Sequence, residues 1–254
     1  MKKYRSIFLS DIHLGTEHCK ADVLLDFLNN HDCDFLYLVG DIIDGWALQR
    51  KFYWPQSHND VVRKFMSKAR NGTHVRYITG NHDEFLRNWV EYKLVLGNIS
   101  IMNERVHITA DGKNYLVIHG DQYDIITVYH KWLALLGDRA YGFLLWANTK
   151  FNKIRNLFGY KYWSLSQFLK YKVKTAVNYI SNFENALIKT CFDKDYDGVI
   201  CGHIHYPTIS SMTILSDPPI IKKYINCGDW VESCSAIIEE LDGTIKLIKW
   251  NKNE

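Results

Sequence analysis

The chain has 254 residues, of which 47% are hydrophobic and 23% are charged, and its formal net charge is +3. This length and composition allow a large buried core, so the chain is expected to fold without disulfide bonds. No run approaches the roughly 18 apolar residues that a membrane-spanning helix needs, which predicts a soluble or peripheral protein.

The six cysteines form no C-x-x-C pair, and no long apolar signal region precedes the first predicted strand. Both features are typical of reduced thiols in a cytoplasmic protein. Cys201 and Cys227 lie in apolar runs and are interpreted as small buried side chains rather than metal ligands.

Basic and aromatic residues are concentrated in one segment. Residues 125–180 hold nine Lys or Arg and a single acidic residue, Asp138. Their apolar positions recur with helical spacing, unlike the strand-like runs elsewhere. We predict one domain over residues 1–254 that carries a helical lid inserted at 125–190.

The N-terminal half alternates predicted strands and helices. A helix is predicted from about Ala21 to Asn30, because its apolar residues recur every three or four positions. Further helices are predicted around 61–69 and over 83–96. Short strands rich in β-branched and aromatic residues are predicted at 7–9, 35–39 and 75–79.

The C-terminal half is predicted to consist mainly of strands and hairpins. Strands at 99–109 and 113–118 are joined where Asp111-Gly112 supplies the positive φ of a tight turn. Alternating elements followed by hairpins predict an α/β architecture with a mixed sheet. After the insertion, strands are predicted at 198–201, 207–215, 220–226, 234–241 and 244–250.

Polar motifs follow five of the predicted strands. In sheets that are covered by helices, ligands gather at the carboxyl ends of strands, so groups far apart in sequence can converge. The set therefore predicts a two-metal phosphoesterase site. The motifs are Ser10-Asp11-Ile12-His13, Gly40-Asp41, Gly80-Asn81-His82-Asp83, His119-Gly120-Asp121 and Gly202-His203-Ile204-His205.

The side chains in these motifs suit divalent cations. Asp11 and His13 are two residues apart and point to the same side of an extended segment. Asp41 can bridge two ions through its two oxygens. Oxygen and nitrogen ligands without thiolate favour Mn²⁺, with Fe or Zn²⁺ as alternatives, over Ca²⁺. The remaining predicted ligands are Asn81, His119, His203 and His205.

The motifs SDIHLG, GDIID, GNHD, HGD and GHIH resemble, in order and content, those of the calcineurin-like metallophosphoesterases. The resemblance covers residues 10–205 apart from the insertion. It implies an αββα sandwich of two mixed β-sheets flanked by helices, and a metal-dependent hydrolase. It also implies that Asp11, His13, Asp41 and His205 hold one ion, and that Asp41, Asn81, His119 and His203 hold the other.

The same resemblance implies roles for neighbouring residues. His82 matches the catalytic histidine, which stabilises the transition state or protonates the leaving group. Asp44 matches the carboxylate that orients this histidine, and Asp83 and Asp121 are expected to be structural partners. Six further histidines fit no motif and are predicted at the surface: His18, His31, His58, His74, His107 and His130.

Trp46 and the run Gly228-Asp229-Trp230 are similar to the UDP-2,3-diacylglucosamine diphosphatase branch of this family. The resemblance implies hydrolysis of a nucleotide-linked lipid sugar to UMP and 2,3-diacylglucosamine 1-phosphate in lipid A biosynthesis. It also implies a lid at the position of the insertion, which would contact the inner face of the cytoplasmic membrane. His82 departs from the branch, whose best-known members have arginine there, and matches the wider family.

Two other functions fit the same residues. A soluble phosphodiesterase acting on nucleotides or cyclic nucleotides would use the same metal site and be indifferent to acyl chains. A nucleic-acid binder or nuclease would use the basic, aromatic segment, and its affinity would fall steeply with salt.

Overall fold

The computed structural model describes residues 2–92, 95–123, 165–214 and 219–251. The chain divides into two compact units, residues 1–121 with 187–254 and residues 122–186. Most of the predicted lid at 125–190 lies outside the described residues, so the lid stays a prediction. Among the helices that are described, none is long and apolar enough to span a bilayer.

The described strands and helices are given in chain order. The strands are β1 (Lys2–Leu9), β2 (His31–Val39), β3 (His74–Ile78), β4 (Val95–Leu96), β5 (Ile99–Met102), β6 (Glu104–Ile108), β7 (Asn114–Ile118), β8 (Gly198–Cys201), β9 (Thr208–Ile214), β10 (Ile220–Asn226), β11 (Ser235–Glu239) and β12 (Ile245–Lys249). The helices are α1 (Ala21–Asn30), α2 (Gly45–Arg50), α3 (Gln56–Arg70), α4 (Arg87–Val90) and α5 (Leu165–Asp193). Two short 3₁₀ turns are Glu84–Leu86 and Asp121–Tyr123.

The strands form two mixed sheets. The first has seven strands in the order β12-β11-β1-β2-β3-β5-β4, and the second has five in the order β6-β7-β8-β10-β9. Strands β1, β2, β3 and β5 are parallel in the first sheet, as are β7, β8 and β10 in the second. The predicted fold class, two mixed sheets with helices, is confirmed.

The core has two layers because the central strands are buried on both faces. Phe8, Tyr37 and Ile78 of the first sheet share a cluster with Tyr115 and Val117 of the second. Residues that alternate with these pack on the other face of the first sheet. Complete burial of a large apolar side chain contributes about 1.5–3 kcal/mol, so these layers fix the strand ends firmly. The second cluster includes Ile7, Leu9, Leu24, Phe27, Leu28, Val61 and Phe65, from β1, α1 and α3.

Two predicted elements are wrong in detail. The helix predicted over 83–96 is instead a 3₁₀ turn, the single-turn helix α4 and strand β4. No residue from Glu84 to Val90 is fully buried, and Leu86 packs on the core only in part, so this segment buries too little apolar surface to hold a long helix. The strand predicted over 99–109 is divided between the two sheets. It breaks at Asn103, whose Oδ1 accepts a hydrogen bond from Thr79.

Candidate metal centre

The predicted ligands lie at the carboxyl ends of the parallel strands. Asp11 and Asp41 are each two residues beyond the ends of β1 and β2, and Asn81 is three beyond β3. In the second sheet, His119 follows β7 directly and His203 is two residues beyond β8. The sandwich therefore brings both sets of strand ends to one region.

Two groups of these side chains meet the spacing of a metal site. In each group the potential ligand atoms lie within 4.8 Å of one another. One group is Asp11, His13 and His205, and the other is Asp41, His119 and His203. These groups match the two ligand sets that the family resemblance implies, except that Asn81 is missing from the second group and Asp41 from the first.

The first group is built around the buried carboxylate of Asp11. Its Oδ1 atom lies 3.1 Å from Nε2 of His205. Its Oδ2 atom accepts a hydrogen bond of 2.9 Å from the backbone N–H of His203. The Nε2 atoms of His13 and His205 are 3.4 Å apart. Asp11 thus joins the end of the first sheet to the Gly202–His205 loop of the second.

The second group is built around Asp41 and His119. The Oδ2 atom of Asp41 lies 3.3 Å from Nε2 of His119, and its Oδ1 atom accepts a hydrogen bond of 2.8 Å from the backbone of His82. The Nδ1 atom of His119 donates to the carbonyl oxygen of Val39 at 3.0 Å. This bond keeps the Nδ1 proton on the backbone side, so Nε2 is the nitrogen that faces the site.

Five of the candidate ligands have a backbone conformation that L-residues rarely adopt. Their φ angles are 51° for Asp11, 54° for His13 and Asp41, 72° for His203 and 53° for His205. A residue in the left-handed region costs of order 1–3 kcal/mol and persists only where its surroundings hold it there. Strain of this kind clusters at functional sites, and here it coincides with the two groups.

Three buried ligand atoms without a hydrogen bond fit divalent cations. Within the described part of the chain, Oδ1 of Asp11, Oδ1 of Asn81 and Nε2 of His119 are buried and make no hydrogen bond. Leaving a buried polar atom unpaired costs about 1–3 kcal/mol. Metal ions bound by carboxylate, amide and imidazole groups would satisfy all three atoms.

The electrostatics of the site are those of acids paired with imidazoles. Burial alone would raise the pKa of Asp11, but His205, His119 and His13 hold it well below its usual range. Burial alone would lower the pKa of His119, but the carboxylate of Asp41 raises it to about 10. A cation that binds here must therefore displace protons from the histidines.

Asp44 connects the first group to His82. It caps α2 by accepting a hydrogen bond of 2.7 Å from the backbone of Ala47. Its Oδ2 atom lies 3.0 Å from Nδ1 of His13, and its Oδ1 atom lies 2.9 Å from Nδ1 of His82. The side chain of His82 is 25% exposed and packs on Trp46, with ring centroids 4.2 Å apart. His82 can therefore reach a ligand from the edge of the site.

Two glycines of the motifs are required because neighbouring loops pass too close to them for a side chain. A Cβ atom at Gly80 would overlap the carboxylate and backbone of Asp41, and one at Gly202 would overlap the side chains of Ser10 and Asp11. Glycine at these positions lets the loops of neighbouring strands come together around the ligands.

Asp83 and Asp121 brace the loops and belong to neither group. Asp83 accepts hydrogen bonds from the backbone of Ile42 and Gly80 and from the Tyr77 hydroxyl. This ties the loop of Asp41 to the loop of Asn81. Asp121 forms an ion pair of 2.7 Å with Arg87.

The prediction that the remaining histidines lie at the surface is partly wrong. His31, His58 and His107 are buried, whereas His18 and His74 are exposed and His130 lies outside the described residues. His107 is held by Glu239, with 2.9 Å between Nε2 and Oε2. A partner 132 positions away leaves no signal in the local sequence.

Sequence reasoning also missed the turn after β10. The side-chain amide of Asn226 donates a hydrogen bond of 2.7 Å to the carbonyl of Gly202. The backbone N–H of Trp230 donates one of 3.1 Å to the carbonyl of Asp11. The Gly228-Asp229-Trp230 motif resembles one branch of the family, but its local sequence does not indicate that this turn supports two of the ligand loops.

Comparison with known proteins identifies the family. The profile of the calcineurin-like phosphoesterases matches residues 4–207. The chain belongs to this family. It is therefore a metal-dependent hydrolase with the α/β fold of the metallophosphoesterases.

More specific similarities are weak. The UDP-2,3-diacylglucosamine hydrolase of Shewanella sp. (strain ANA-3) is 25% identical over 248 residues, which cover 94% of this chain and 95% of that protein. The protein of the same name from Porphyromonas gingivalis is 23% identical over 122 residues, so the match spans about half of each chain, 45% in both cases. The solved phosphoesterase YfcE of E. coli is 14% identical, with 97% and 99% of the two chains covered and a TM-score of 0.40.

Proposed function

We propose that this phosphoesterase holds two divalent ions, one through Asp11, His13, Asp41 and His205 and the other through Asp41, Asn81, His119 and His203. The observation that carries the proposal is the set of buried ligand atoms on Asp11, Asn81 and His119 that make no hydrogen bond. Mn²⁺ suits this oxygen and nitrogen donor set, and Fe or Zn²⁺ are the alternatives.

Such a pair of ions activates a water molecule and neutralises the charge that builds on the phosphate oxygens. His82 lies beside this centre, with its Nε2 atom 3.9 Å from Oδ2 of Asp41. Asp44 holds the Nδ1 side of the ring, so Nε2 is the atom that faces a substrate. We propose that His82 donates a hydrogen bond or a proton to the phosphate or the leaving oxygen.

We propose that the substrate is UDP-2,3-diacylglucosamine, cleaved at its pyrophosphate to UMP and 2,3-diacylglucosamine 1-phosphate in lipid A biosynthesis. The similarity to the Shewanella hydrolase over 94% of the chain supports this choice. Trp46 and the Gly228-Asp229-Trp230 motif support it as well, because both resemble that branch of the family.

We propose that the basic, aromatic segment 125–190 contacts the inner face of the cytoplasmic membrane as a peripheral lid. Its Lys and Arg side chains would attract anionic headgroups, at about 1 kcal/mol for each cation near the surface. Its aromatic side chains would meet the acyl chains. The protein would then act from the cytoplasm on a substrate held in the membrane.

The test compares UMP release from UDP-2,3-diacylglucosamine with hydrolysis of bis-p-nitrophenyl phosphate, in Mn²⁺ and in chelator. We expect a strong preference for the lipid substrate and no activity in chelator. The His82→Ala variant should lose both activities, whereas His74→Ala, which changes an exposed histidine on β3, should keep both.

A soluble phosphodiesterase is the second candidate, and the presence of His82 in place of the arginine of the lipid branch favours it. This function predicts that small diesters are turned over as fast as the lipid substrate or faster, and that acyl chains do not affect the rate. Competition by single-stranded DNA that weakens steeply with salt would instead support the nucleic-acid function.

A further inference from the structure

The turn that follows β10 is organised by one buried carboxylate. Asp229 is 1% exposed. Its Oδ1 atom accepts hydrogen bonds of 2.5–3.1 Å from three successive backbone N–H groups, those of Val231, Glu232 and Ser233. The carboxylate therefore has a fixed position and direction, because a single rotation of the side chain would break all three bonds.

The second oxygen of Asp229 is not needed for the turn and faces His205. Its Oδ2 atom lies 3.8 Å from Nδ1 of His205, while Nε2 of the same ring lies 3.1 Å from Oδ1 of Asp11. The imidazole thus lies between two buried carboxylates, with one ring nitrogen toward each.

The same turn also holds the backbone of the ligand loops. Trp230 donates its N–H to the carbonyl of Asp11, and Asn226 donates to the carbonyl of Gly202. His205 has a φ of 53°, which its own sequence does not favour. Contacts from outside the loop help to hold such a conformation, and the 226–230 turn contacts this loop at Gly202.

We propose that Asp229 is a positioning residue that orients His205, so that Nε2 of this histidine faces the first metal ion. The inference rests on the proposed two-metal function. A histidine that binds a metal through Nε2 carries its proton on Nδ1, and a carboxylate on the Nδ1 side stabilises that tautomer and ring orientation. At 3.8 Å the carboxylate acts through its charge.

The experiment measures Mn²⁺ binding to the full chain by titration calorimetry and by metal content after gel filtration. Asp229→Asn is nearly isosteric and keeps an oxygen for the backbone N–H groups of the turn. We expect the affinity for one of two ions to fall by about 10–100-fold, the range typical of lost partners of metal-binding histidines. The affinity for the other ion should fall by less, because His205 is assigned only to the first ion.

Two variants control for charge and for the turn. Asp242→Asn removes the same charge from an exposed turn, where Asp242 accepts a hydrogen bond of 2.9 Å from the backbone of Thr244. Ser233→Ala removes a hydroxyl that accepts from the Asp229 N–H at 3.1 Å and leaves the carboxylate in place. Both should bind two ions with wild-type affinity.

Unchanged affinity for both ions in Asp229→Asn would overturn the inference, as would an equal loss in Ser233→Ala. If Asp229→Asn lowers the melting temperature in chelator, Asp and Asn at position 229 are compared in proteins that also carry His205→Ala. No further loss of affinity there supports positioning through His205, and a further loss of the same size overturns it. Failure of the wild type to bind two ions would contradict the proposed function itself and is visible before any variant is made.

Discussion

The Nδ1 atom of His82 lies 2.9 Å from Oδ1 of Asp44, and the other oxygen of this carboxylate lies 3.0 Å from Nδ1 of His13. One buried acid therefore orients both the proposed catalytic histidine and a proposed metal ligand. The cap that Asp44 forms on α2 fixes its position. Changes at His82 and at Asp44 should consequently have different effects on metal binding.

His82→Ala is expected to keep both metal ions and to lose turnover by about 10²–10⁴-fold, the usual contribution of a positioned acid or hydrogen-bond donor. His82 is not among the proposed ligands, so metal content should stay at the wild-type level. Steady-state kinetics and metal analysis of the same preparation check this, with His74→Ala as the control. Wild-type turnover in His82→Ala would remove this residue from the mechanism.

Asp41→Ala is expected to lose both metal content and activity, because Asp41 is the only residue assigned to both ions. Asp34→Ala is the matched control, since it removes an exposed carboxylate that pairs with Lys3 at the surface. Metal content is measured after dialysis against Mn²⁺-free buffer. Normal content together with full activity in Asp41→Ala would refute the bridging role.

Gly80→Ala is expected to impair metal binding although it replaces none of the proposed metal ligands. The added Cβ would overlap the carboxylate and backbone of Asp41, so the carboxylate must move away from His119. Gly72→Ala is the control: φ at Gly72 is +103°, but a Cβ there meets no atom within 4 Å. The control should lose about 1 kcal/mol of stability and no metal affinity. Equal Mn²⁺ affinity in the two variants would show that the Asp41 loop tolerates the displacement.

The strand ends and the motifs that follow them could be predicted from the sequence for a simple reason. Short apolar runs such as 36–39 and 199–201 are buried on both faces of a sheet, and a polar motif directly after one of them has to lie at the sheet's edge. The prediction thus depended on two local features, an apolar run and the polar motif directly after it. The convergence of Asp11 with His205 then followed from the two parallel sets of strands.

The remaining features depend on partners that are remote in the chain. Asn103 breaks the predicted strand 99–109 because it bonds with Thr79 and the chain passes there from one sheet to the other. His107 is buried because Glu239 and Tyr37 bind its ring nitrogens. Neither contact has a local pattern, so propensity and periodicity could not find it.

Glu239 should make the stability of the fold dependent on pH in the acid range. Burial alone would raise the pKa of Glu239, but hydrogen bonds from His107, Ser6 and the backbone of Ala110 lower it below its usual 4.5. A lowered carboxyl pKa stabilises the folded state above pH 4.5, and this contribution is lost as pH falls through the folded-state value.

Glu239→Gln is therefore expected to cost about 2 kcal/mol of unfolding free energy at pH 7, as for hydrogen bonds to a charged group. The difference from wild type should shrink as the pH falls below 4.5. Urea unfolding across this range checks it, with Glu240→Gln as the neighbouring control, since Glu240 pairs with the exposed side chains of Lys2 and Lys246. A difference that stays constant with pH would mean that the charge of Glu239 does not contribute.

The most direct test of the two-metal centre is an anomalous difference map from crystals grown with Mn²⁺, recorded at the manganese edge. Two peaks are expected, about 3.5–4 Å apart as in other two-metal sites. One should contact Asp11, His13 and His205, the other Asn81, His119 and His203, and both should contact Asp41. A single peak, or two peaks away from these side chains, would contradict the account.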